Sequence, residues 1–124
     1  MTETVDSLVV VEIANLGPGD SAVFAYERDG LKRQGFVLRH GDEYFAYANC
    51  CPHWYVDLDL GDERFYDAAI DRIYCKNHAA TFTPRDGHCD SGPCFGRNLE
   101  RFETRVVLGR LEVLIGNARA LTES

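Results

Sequence analysis

No apolar run in this 124-residue chain approaches the roughly 20 residues that a membrane-crossing helix requires. The opening MTETVDS has neither the basic start nor the apolar stretch of a secretory signal. Basic residues are few, 13 Lys and Arg against 20 Asp and Glu, and the formal charge of −7 argues against nucleic acid or an anionic membrane as partner. A basic protein surface is compatible with that charge. Cysteines number five, an odd count that makes a disulfide framework a poor account of them, so the expected compartment is a reducing cytoplasm. Also absent are a paired nucleophile and base, a phosphate-cradling glycine loop, and a two-histidine, one-carboxylate facial triad. Internal repeats, low-complexity tracts and linkers are missing too, and the length fits one domain over residues 1–124.

What is present is a chain cut into short pieces by turn residues. Gly17-Pro18-Gly19-Asp20, Asp29-Gly30, Gly41-Asp42, Gly61-Asp62, Asp86-Gly87, Gly92-Pro93 and Leu108-Gly109 separate runs that suit strands better than helices. Leu8 to Ile13 is rich in β-branched residues, while Ala22 to Tyr26, Gly35 to Leu38 and Tyr44 to Ala48 are spaced as consecutive hairpins. Phe102, Thr104 and Val106 alternate with charged residues, and Leu111, Val113 and Ile115 share one parity, which predicts a half-buried antiparallel pair. Leu114 breaks that alternation, an expectation that the last strand is covered on both faces near its end. Phe65 to Ile70 is short enough to be a helical turn or a strand. The fold class is therefore all-β, with the chemistry in the middle third.

That chemistry lies in two stretches, CCPHW at Cys50 to Trp54 and CKNH at Cys75 to His78, which hold three of the five cysteines and two of the four histidines. Cys51 with His53, and Cys75 with His78, each put a thiolate and an imidazole on one bend of backbone. Residues 54–74 separate the two pairs. Brought together they make a four-ligand site of soft and borderline donors, suited to zinc or an iron-sulfur centre and wrong for magnesium or calcium. Between the loops Asp57, Asp59, Asp62, Glu63, Asp67 and Asp71 face only Arg64 and Arg72. That stretch reads as a solvated loop or as a docking face for a basic partner.

The pattern C-x-H followed by C-x-x-H resembles the Rieske [2Fe-2S] domains, in which two histidines replace two cysteines on one iron. The resemblance continues through Ala79, Ala80, Thr81 and Phe82 to Gly87 and the Gly92-Pro93 loop, and the order of short strands from about residue 5 to 115 is similar. Ala79 stands where the family usually has glycine. The resemblance implies an antiparallel β-sandwich or barrel with a small cluster-binding part, about residues 46–96, formed by the two Cys/His loops. It implies one [2Fe-2S] cluster, with Cys51 and Cys75 on one iron and His53 and His78 on the other. The rival from another class is a structural zinc module using the same four side chains, which leaves Phe82 and Gly92-Pro93 without a role.

Two ferric ions, two sulfides and two thiolates sum to zero charge with neutral imidazoles, so an electron adds more easily than to an all-cysteine cluster. This is one reason for the Rieske range of about −150 to +300 mV against about −400 mV for plant-type ferredoxins. High-potential members of the family carry serine and tyrosine donors to sulfur where this chain has Ala80 and Phe82, so the low end is expected. Those members also carry a disulfide between the ligand loops, which Lys76 and Asn77 and the absence of cysteine between Trp54 and Tyr74 rule out. Cys50 reads as a small buried side chain, Cys89 and Cys94 as free thiols near the cluster, Trp54 as an apolar cover, and His40 and His88 as surface residues.

What the resemblance implies for function is a low-potential, single-electron ferredoxin between a flavin-dependent reductase and a terminal oxygenase or other oxidoreductase. Such a chain is an electron-transfer component rather than an enzyme by itself. The alternative within the family is a small Rieske-like subunit of an assimilatory nitrite reductase.

Overall fold

Turn chemistry sets the strand boundaries. The computed structural model describes residues 7–52, 58–59, 64–76, 80–116 and 119–120, the last two through the backbone alone. β1 (Ser7–Glu12), β2 (Ser21–Arg28), β3 (Leu31–His40) and β4 (Glu43–Ala48) come first. Asp29 and Gly30 join β2 to β3 with φ of 56° and 75°, the two left-handed residues of a type I′ hairpin. At the next hairpin only Gly41 is left-handed, with φ of 63°. Four short strands follow: β5 (Tyr66–Asp67), β6 (Arg72–Tyr74), β7 (Thr81–Phe82) and β8 (Cys89–Ser91). β9 (Arg101–Val107), β10 (Arg110–Ile115) and β11 (Arg119–Ala120) complete the order.

All pairings between these strands are antiparallel, and they form two sheets. The larger runs β1-β10-β9-β4-β3-β2-β11, and its end strands approach each other, so it is a nearly closed barrel. The smaller runs β5-β6-β7-β8. Phe65 to Ile70 is thus a two-residue strand entering a turn, with no helical turn.

Burial explains why β3 and β4 carry near-continuous apolar runs. Val37, Ala46 and Ala48 point into the barrel with Val9, Val11, Phe24, Tyr26, Phe102, Leu111, Val113 and Ile115. Alternate residues Phe36, Leu38, Phe45 and Tyr47 point the other way, onto Leu58, Phe65, Ile73, Ala80 and Phe82 of the smaller part. Side chains alternate across a strand, so one hairpin serves two cores. Each fully buried large side chain contributes about 1.5–3 kcal/mol. Phe36 and Phe65 stack with ring centres 4.0 Å apart, joining the two parts face to face. Gly35 sits opposite Phe24, where a Cβ would come within 2.3 Å of the ring, so the strand needs glycine there.

The covering expected for Leu114 is absent. Leu114 pairs across the ladder with Leu8, and the two remain 38% and 47% exposed as an outer pair on β10 and β1. Register puts Val113 and Ile115 inward, which leaves an apolar residue at 114 facing out.

A second junction ties the sheets through polar groups. His40, at the end of β3, bonds Asp71 Oδ1 through Nε2 at 2.8 Å, and Tyr66 Oη donates to the same oxygen at 2.5 Å. His40 is therefore half-buried and engaged, more than a plain surface residue. Its bond with Tyr66, then that with His40, holds the Asp71 carboxyl below the usual range, and the same bond pushes the Tyr66 phenol up to about 12. A depressed carboxyl pKa adds stability above its unfolded value and loses it as pH falls through the folded one. Asp71→Asn is expected to melt lower than the unchanged protein at neutral pH, and the gap should close as pH falls through the folded carboxyl's lowered pKa. Equal melting temperatures at neutral pH would count against this junction.

Candidate metal centre

The first loop leaves β4 at Asn49, and the backbone is anchored at once: Ala48 N donates to Glu100 O and Asn49 N to Gln34 O, both at 2.9 Å. Adjacent residues of extended chain face opposite ways. Cys50 accordingly packs half-buried against the barrel cluster, whereas Cys51 is fully buried in the other cluster with Cys75. This separates the two adjacent cysteines by geometry, with Cys51 alone of the pair in the cluster that holds Cys75.

The second loop joins β6 to β7. Cys75 N donates to Ala80 O at 2.8 Å, closing the loop at its base, and Lys76 N donates to Leu58 O at 3.0 Å, tying it to the end of the first loop. Cys75 is fully buried, and so are Ala80 and Phe82. Thr81 is the hydroxyl residue between them, and it donates to Asp90 Oδ1 at 2.6 Å, away from the sulfurs. Thr81, then Arg72 at 2.8 Å, holds the Asp90 carboxyl below the usual range.

A third loop, from β8 to Arg97, lies against both. Gly92 has φ of 103°, and a Cβ there would be 2.7 Å from Ala80 Cα. Cys94 is buried, with its sulfur 3.0 Å from Cys89 Sγ, and Cys89 Sγ also reaches Ser91 O at 3.3 Å. Burial, then the bond with Cys89, pushes the Cys94 thiol up, and Cys51 adds to the effect from the other side. All five cysteines are free thiols in this structure.

The site residues read from sequence thus divide. Cys51 and Cys75 belong to one buried apolar cluster, while His53 and His78 lie outside the described residues, as do Trp54 and Ala79. Among the described residues no three metal-ligating side chains group together. Two buried thiols are half a soft-metal donor set, and the loops that carry them also carry the two histidines. The donor chemistry fits a two-thiolate, two-imidazole cluster.

Asn49 was not legible as part of this site. It is 4% exposed, and its side chain spans the mouth of the first loop: Nδ2 donates to Gln34 Oε1 at 2.7 Å and Asp59 Oδ1 at 3.1 Å, and Oδ1 accepts Leu58 N at 2.8 Å. A buried amide must find partners, and here they are Gln34 on β3 and Leu58 and Asp59 at the far end of the loop that holds Cys51. The signal available was a polar residue ending the apolar run Phe45 to Ala48. Asp59 is drawn inside by the same network and leaves the acidic docking face expected between the loops. Asp71 is engaged with His40, and Asp57, Asp62 and Glu63 lie outside the described residues.

No helix among the described residues is long and apolar enough to cross a membrane. The Rieske [2Fe-2S] domain matches residues 6–111. The ferredoxin of carbazole 1,9a-dioxygenase from Nocardioides aromaticivorans IC177 is similar, with 28% identity over 85% of this chain and 93% of that one and a TM-score of 0.65. A chain in the complex of reduced oxygenase and oxidized ferredoxin in carbazole 1,9a-dioxygenase matches at 25% identity, over 97% of this chain and 100% of that one, also with a TM-score of 0.65. The terminal oxygenase of carbazole 1,9a-dioxygenase from Novosphingobium sp. KA1 shares the fold, at 17% identity over 96% of this chain and 32% of that one, with a TM-score of 0.69. No curated protein matches. With the family's domain spanning residues 6–111 and two buried cysteines at its motif positions, the chain belongs to the Rieske [2Fe-2S] domain family.

Proposed function

We propose that this chain is a Rieske-type ferredoxin that carries single electrons from a flavin-dependent reductase to a terminal oxygenase. As a Rieske domain it binds one [2Fe-2S] cluster, which supplies a one-electron store when bound. One observation carries the ferredoxin reading. The similarity to the carbazole ferredoxin runs over 93% of that chain, whereas the match to the oxygenase is confined to 32% of its length. We assign Cys51 and Cys75 to one iron and His53 and His78 to the other, in a single domain over residues 1–124 whose cluster-binding part is about residues 46–96. Burial of both cysteines in one apolar cluster supports that assignment. We further place the protein in the cytoplasm.

The chain's own residues do the holding and insulating. Asn49 and Lys76 fix the loop bases, and the Gly92 turn packs on Ala80, so water is kept from the buried sulfurs of Cys51 and Cys75.

With Thr81 committed to Asp90 and no hydroxyl at Ala80 or Phe82, the midpoint potential is expected in the lower part of the family's range, below about 0 mV. Ala80→Ser and Phe82→Tyr are each expected to raise it, by protein-film voltammetry. An unchanged value in the double variant would refute the sulfur-bond argument. For the carrier role, the reduced protein is mixed anaerobically with an oxidised Rieske oxygenase component. Transfer of one electron per chain is expected; a loaded protein that stays reduced sinks the reading.

A further inference from the structure

Arg97, an exposed side chain, differs from the arginines that pair with carboxylates. Arg28, Arg39, Arg72, Arg85, Arg105 and Arg110 each bond a carboxylate within the described residues. Arg97 instead reaches across from the third loop and donates from Nη1 to the carbonyl of Pro52 at 3.0 Å. Pro52 lies between Cys51 and His53. Proline has no backbone N–H, so that carbonyl is the residue's sole hydrogen-bonding group, and the guanidinium occupies it.

The arginine is held at both ends. Its backbone N donates to Cys94 O at 2.9 Å, and its carbonyl accepts Cys89 N at 2.7 Å, so the base of the side chain is part of the turn that covers Cys51. Fixing base and tip over a separation of 45 residues locks the first ligand loop to the third. A guanidinium keeps its charge at any accessible pH. Here it bonds a neutral carbonyl in a chain of net charge −7, so the positive charge bears on the ligand loop.

We infer that Arg97 is a positioning residue for the Cys51-Pro52-His53 loop and a fixed positive charge that raises the reduction potential of the centre held there. The inference rests on the assignment of Cys51 and His53 as ligands. A positive charge favours the state with the added electron. The hydrogen bond favours the loop shape that presents both ligands.

Three loaded variants separate the two effects. Arg97→Gln keeps an N–H donor and removes the charge, and its midpoint at low ionic strength is expected to fall by up to about tenfold in the one-electron equilibrium, or about 59 mV. The gap from the unchanged protein should narrow in high salt. Arg97→Lys keeps the charge and should restore the potential. Arg97→Ala loses both, so it should show the lower potential and also faster cluster loss to a chelator than Arg97→Gln. If Arg97→Ala fails to load, the comparison of Gln with Lys decides the matter. Equal potentials in Arg97→Gln and the unchanged protein would overturn the charge role. Equal chelation rates in all loaded forms would overturn the positioning role. A normal Rieske spectrum in Cys51→Ala would instead break the ligand assignment, whatever Arg97 does.

Discussion

Cys75→Ala or His78→Ala is expected to yield a protein without a Rieske spectrum, whereas His40→Ala and His88→Ala should keep both the visible absorption and the electron paramagnetic resonance signal of the reduced state. The contrast is stronger than a loss alone, because His40 is itself engaged with Asp71 and His88 Nδ1 lies 2.7 Å from Asn98 Oδ1. Their removal takes away about 0.5–1.5 kcal/mol of hydrogen bonding each, at most a few degrees of melting temperature. Neither touches the pocket of Cys51 and Cys75. Loss of a ligand removes a bond that neighbouring Ala80 and Phe82 cannot replace, since neither carries a donor atom for metal. Cys89 and Cys94 are the sulfurs at hand, so the cysteine variants should be checked for a substituted, spectrally altered centre. A normal spectrum in His78→Ala would show that the second pair was misassigned.

Gly92→Ala separates the site from the scaffold. With φ at 103° the position is hostile to any side chain, and the new methyl would meet Ala80 backbone at 2.7 Å. Strain and overpacking together come to about 3–5 kcal/mol. That energy is relieved most readily by lifting the third loop off Ala80, so the expected product is a folded barrel with a poorly retained cluster. Gly35→Ala makes the opposite error, driving a methyl into Phe24 inside the barrel, and should lower the melting temperature of the whole chain. Paired measurement of melting and cluster content tests this. Full cluster occupancy in Gly92→Ala would contradict the close packing described for that turn.

The hairpins could be read in advance because Asp29-Gly30, Gly41-Asp42 and Leu108-Gly109 are turn signals flanked by runs long enough to show a period of two. The four-stranded sheet could not be. Its strands are two or three residues long, too short for any period, and they exist because Phe36, Leu38, Phe45 and Tyr47 offer a surface for Phe65, Ile73 and Phe82. The ligand motif was legible from spacing. Asn49 and Arg97 were not, since each works on a partner many residues away, and nothing in a local window distinguishes them from surface amides and cations. Leu114 misled because an apolar residue on an outward register position looks the same in sequence as a covered one.

The shared use of β3 and β4 by two cores has a consequence for the order of assembly. Residues 64–99 have no floor of their own: their apolar face is completed only by a hairpin that also belongs to the barrel. That hairpin is local in sequence and should form early, and the cysteine-bearing loops can close only on top of it. Native-state hydrogen exchange should therefore find the slowest amides in the Phe36 to Leu38 and Phe45 to Tyr47 segments. Slow exchange there would mark a framework that stays assembled while iron and sulfide enter.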